Sequence, residues 1–106
     1  MREKMYLGCT PSDESCAQVG SDGYHEQARK ECRAWIGQLR RAFGPEPPNA
    51  QLAVTSNEHD FGNYLEVVCW FDGADETAAN YAVRCEGAAP TEWDEPARRE
   101  LGLAST

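Results

Sequence analysis

No stretch of this sequence is apolar over anything near the ~20 residues needed to span a bilayer. Residues 1–7 carry charges and no apolar run of signal-peptide length, so the expectation is a protein that stays in the reducing cytoplasm where it is made. A surplus of cations is also lacking. Ten Lys and Arg face 18 Asp and Glu, a formal net charge of −8. That balance argues against generic binding to nucleic acid or anionic membranes, which requires a cationic surface. A disulfide framework is missing too: the five cysteines, Cys9, Cys16, Cys32, Cys69 and Cys85, are odd in number and widely scattered. Free thiols are expected.

The usual chemical signatures are absent as well. No Gly-rich phosphate loop follows a strand, and there is no G-x-S-x-G, paired C-x-x-C or calcium loop. The string His25-Glu26-Gln27-Ala28-Arg29 begins like the zinc-peptidase helix motif, but Arg29 stands where the second histidine is needed. Cys9 and Cys16 are six intervening residues apart, which is not a zinc-knuckle spacing. The expectation is therefore no cofactor and no metal. At 106 residues the chain has room for one core, and a domain of that size has little volume for a deep substrate pocket.

What is present reads as alternating structure. Residues 4–9 form a short strand candidate, followed by a loop over 10–23 rich in Ser, Asp, Gly and Pro. Tyr24, Ala28, Cys32, Trp35, Ile36, Leu39 and Phe43 recur every three or four residues, predicting a helix over 24–43 with Ser21 or Asp22 as its cap and Gly44-Pro45 as its stop. Residues 51–55 and 64–71 read as strands around a turn-rich connection at 56–63. In the second of these strands Leu65, Val67, Cys69 and Phe71 share one face, and Glu66, Val68, Trp70 and Asp72 the other. Asp72 is placed to cap a helix over 73–86 whose packing face is Ala78, Ala79, Ala82 and Val83. Asp94 is placed to cap a last short helix through Arg99, with Trp93 anchoring it. The predicted fold is α+β: a two-layer α/β sandwich with a small, mainly antiparallel three-stranded sheet, helices on one face, in the order β-α-β-β-α-α.

Two kinds of function compete on these residues. The segment Asn57-Glu58-His59-Asp60-Phe61-Gly62 sets a histidine beside acids, and His59 with Asp60 is the one pairing suited to general-base work in a small hydrolase or transferase. Hairpin-turn chemistry accounts for the same Asn, Asp and Gly. Binding has two candidates of its own. Val68 and Trp70 lie on the sheet face opposite the expected core, where an exposed Trp is an interface anchor for a protein partner or a second copy. From Asn57 to Glu95 ten acids face Arg84 alone, and Asp72, Asp75 and Glu76 cluster where a helix should begin. Such a surface suits a basic groove like that of a nucleic-acid-binding protein. A solvated face explains the basic helix residues Arg29, Lys30, Arg33, Arg40 and Arg41.

The segments Tyr6-Leu7-Gly8, Cys32-Arg33-Ala34-Trp35, His59-Asp60-Phe61-Gly62-Asn63-Tyr64-Leu65-Glu66-Val67-Val68 and Trp93-Asp94-Glu95 resemble small uncharacterised proteins of bacterial phages and plasmids. That resemblance implies an accessory role, including anti-defence inhibition of the anti-CRISPR kind, and carries over no catalytic residue. The expectation is a non-enzymatic protein-binding protein using Val68, Trp70, Asp72, Asp75 and Glu76, with no direct contact to nucleic acid or membrane.

Overall fold

The computed structural model of the chain describes residues 2–9, 22–59 and 62–103. Six elements follow in the expected order: β1 (Arg2–Cys9), α1 (Asp22–Phe43), β2 (Ala50–His59), β3 (Gly62–Asp72), α2 (Glu76–Glu86) and α3 (Glu95–Leu101). The sheet runs β1-β3-β2 and is antiparallel throughout, so β3 is hydrogen-bonded on both sides. β1 and β2 run the same way but are not neighbours, because β3 lies between them.

The connection expected over 56–63 is mostly strand. β2 continues to His59, which pairs with Gly62 at the start of β3. Ser56, Asn57, Glu58 and His59 are all polar, so it is the register with residues 62–65 of β3, not apolar alternation, that extends the strand. The start of α2 also differs from expectation. Asp75, not Asp72, is its cap, accepting hydrogen bonds from the backbone of Thr77 and Ala78. Asp72 instead accepts from the Ala74 N–H at 2.9 Å, holding the turn that precedes the helix.

One face of the sheet carries the core. Leu52, Leu65, Val67, Cys69 and Phe71 pack with Ala28, Cys32, Trp35, Ile36 and Leu39 of α1. From α2 come Ala78, Tyr81, Ala82 and Cys85. This spacing of three, four and seven residues replaces the predicted face: Val83 is 59% exposed, while Tyr81 and Cys85 are buried. Tyr81 donates to the Gly44 carbonyl at 2.9 Å, tying α2 to the end of α1. Cys32, Cys69 and Cys85 are free thiols, each buried.

α1 has a second buried face. Glu31 and Ala34 are enclosed, and Gln38 donates to the Glu92 carbonyl while accepting from the Asp94 N–H. Arg41 forks onto Asp94, both contacts at 2.7 Å, and Asp94 caps α3 through the Ala97 N–H. The tail is thus held by capping and charge as well as by the partly buried Trp93. Among the described residues no helix is long and apolar enough to cross a membrane.

Two contacts set how helix and sheet meet. Gly8 has φ +148° beside an irregularity in the β1–β3 register, and a Cβ there would come within 2.8 Å of the Trp35 ring. Glu46 takes both ends of the Arg40 guanidinium, at 2.7 and 2.8 Å, and also accepts from the Leu52 N–H at 3.2 Å. That last bond satisfies a donor on the outer edge of β2, a position that would otherwise be open to pairing.

Gly8→Ala combines a steric clash with a backbone conformation that disfavours side chains, so it should lower stability by about 1–3 kcal/mol in urea unfolding. The Arg40 hydrogen bond, chiefly, holds Glu46 down from the ordinary 4.5 to about 2. The folded state therefore binds this proton more weakly than the unfolded chain does. The stabilisation is complete above pH 4.5 and is lost as pH falls through about 2. Glu46→Gln should flatten that acid limb of the stability profile while leaving the shape of the profile near neutral pH unchanged.

Candidate binding surface

The face of the sheet opposite the core carries the other set of alternating residues. Register sets Lys4 and Gln51 on either side of Trp70, and Tyr6 and Ala53 on either side of Val68. Among the described elements, the helices α1 and α2 pack with the core face. Val68 corrects an expectation: it is fully buried and unavailable as a contact. On the central strand it is flanked on every side, by Tyr6 and Ala53 across the register and by Glu66 and Trp70 along its own strand.

Trp70 is half-buried, and cations roof its ring. The Arg2 guanidinium lies 5.0 Å from the ring centroid and the Lys4 ammonium 5.6 Å. Arg2 also donates through Nη2 to Gln51 Oε1 at 3.2 Å. Since β1 and β2 flank β3, this bond straps the outer strands together over the tryptophan. Sequence reasoning anticipated a bare Trp. It missed the cations because nothing local shows that residues 2 and 4 stand beside residue 70.

Beside the strap an open groove of about 410 Å³ is lined by Arg2, Asn49, Ala50, Gln51 and Trp70, with Phe71 and Asp72 at the end of β3. Asn49 sits at φ 69°, a left-handed conformation that Asn tolerates well. Its carbonyl accepts from the Asp72 N–H, and its side chain donates to Asp75. The expected acidic cluster is thus largely employed in building the corner. The Asn49 hydrogen bond, chiefly, lowers the Asp75 pKa, and the Ala74 N–H, chiefly, lowers that of Asp72. Glu76, in the first turn of α2, remains exposed.

The candidate catalytic pair gains no geometry here. His59 ends β2, its side chain lies outside the described residues, and so does Asp60. The buried thiols are poor nucleophiles: burial pushes Cys69 up to about 11 and raises Cys85, so both stay protonated at neutral pH. Among the described residues no group of three or more His, Cys, Asp or Glu is placed to hold a metal. No family model, curated protein or solved structure matches the chain.

Because Asp75 caps α2 and anchors Asn49, Asp75→Ala should lower the thermal midpoint by a few degrees. Glu76→Ala should leave it nearly unchanged, as a calorimetric scan of both variants would show.

Proposed function

We propose that the chain is a non-enzymatic, protein-binding accessory protein that engages its partner through the Trp70 corner. The observation that carries this reading is the half-buried Trp70 on the sheet face that no helix covers among the described residues, beside an open groove. An aromatic anchor in partly desolvated surroundings, rimmed by polar and charged groups, has the composition of an interface centre. The corner presents both signs of charge. Arg2 and Lys4 stand on β1, Asp72 lies across from Arg2 on β3, and Asp75 and Glu76 begin α2. Mixed charge of this kind sets the register of a partner more than it adds affinity.

In its finer form the proposal is an anti-defence inhibitor from a mobile element, of the anti-CRISPR type, docking on the basic groove of a nucleic-acid-binding protein. The net charge of −8 supports this form, and so does Glu76, exposed and free to meet a basic surface.

A photo-crosslinking residue in place of Gln51, beside Trp70, tests the proposal in nuclease-treated bacterial lysate. The expected result is stoichiometric capture of a protein, reduced roughly tenfold or more when Trp70→Ala is added. Self-crosslinking alone would make the partner a second copy of the chain. Capture indifferent to Trp70 would overturn the reading.

A further inference from the structure

We infer that the cationic half of this corner receives an acidic peptide segment of the partner, an inference that rests on the binding reading above. Two other arginines, Arg40 and Arg41, are each forked onto a carboxylate. Arg2 and Lys4 are treated differently. Among the described residues neither meets a carboxylate, and both are gathered over one aromatic ring. Arg2 is further fixed by Gln51, which uses one of its five N–H donors. A guanidinium held over a ring and by one side-chain hydrogen bond, with donors to spare, is pre-organised for a carboxylate and loses little freedom on binding one.

The groove extends the same chemistry. Asn49 and Gln51 line it with amide groups for a peptide backbone, and the half-buried Trp70 offers apolar surface to a neighbouring side chain. Asp72 lies opposite Arg2 in the β1–β3 register and disfavours a second acid beside it, which places the ligand carboxylate toward Trp70 and Lys4. At about 410 Å³ the groove is of the size that takes a few side chains, not a folded surface.

Single-stranded nucleic acid is the competing anion, and the geometry favours it less. Its charge recurs at every nucleotide, whereas the patch offers two cations on a chain of net charge −8. Base stacking needs a bare aromatic face, and that of Trp70 is already roofed.

The test is an NMR titration of the ¹⁵N-labelled chain with a short capped peptide alternating Glu and Leu. Its Gln-for-Glu and Lys-for-Glu counterparts and an oligothymidylate are run in parallel. The acidic peptide should shift the Trp70 indole N–H and the Arg2 Nε–H. Arg2→Glu with Lys4→Glu should weaken its binding at least tenfold without changing the circular dichroism. Trp70→Phe, which keeps an aromatic floor, should retain most of the binding. Equal binding of the Gln peptide, preference for the Lys peptide, a shift by oligothymidylate, or silence at Trp70 would each overturn the inference. If Trp70-dependent protein capture persists despite such a result, the binding reading stands and the acidic ligand alone is discarded.

Discussion

Helix and sheet approach closely where the ring of Trp35 lies against the backbone of Gly8, and much of the structure is arranged around that contact. A side chain at position 8 would push helix and sheet apart, so the strand passes there with a glycine, a positive φ and a break in its register. Trp35 is almost wholly enclosed, and its indole nitrogen has no hydrogen-bond partner among the described residues. An orphaned donor costs about 1–3 kcal/mol, and the large apolar area the ring buries offsets it. With α1 seated this closely, the C-terminal end of the helix is set against β2, where Arg40, Glu46 and Leu52 join it to the sheet edge.

The opposite side of the sheet follows from that arrangement. Core residues alternate along β3, so the intervening positions face outward wherever a helix does not cover them. Trp70 is the largest of these, and an uncovered indole beside solvent is an unfavourable exposure for the isolated chain. Arg2 and Lys4 reduce that exposure while keeping their charges in water, as long cationic side chains do on aromatic rings. The corner is therefore quiet in the free protein and still carries apolar area and unpaired donors for an encounter.

Much of the fold was legible in the sequence because its signals are periodic. The α1 stripe, the two-residue alternation of β3 and the Asp94 cap all appear where spacing and turn chemistry place them. The misses have physical causes. Both Asp72 and Asp75 suit a helix start, and the choice between them rests on the distant Asn49, whose side chain bonds Asp75. Ala78, Tyr81, Ala82 and Cys85 share helical spacing, but burying the tyrosine depends on a carbonyl for its hydroxyl, found at the distant Gly44. Trp70 was found from alternation, whereas the strap above it depends on which strand lies next to β3. Val68 is buried because it lies on the strand with partners on both sides, a placement local sequence does not show.

The order β1-β3-β2 has a consequence for the timing of folding. β2 and β3 are adjacent in sequence and can zip as a hairpin, but β1 must find β3 from almost the far end of the chain. Contacts so distant in sequence form late, because the entropy of closing the loop is lost before any pairing returns it. β1 thus docks after the β2–β3 hairpin, and it carries Arg2 and Lys4 with it. Until it arrives, Trp70 is an exposed ring on the edge of an incomplete sheet. Afterwards it lies beneath two cations and a strap, so the charged corner exists only on molecules that have finished folding.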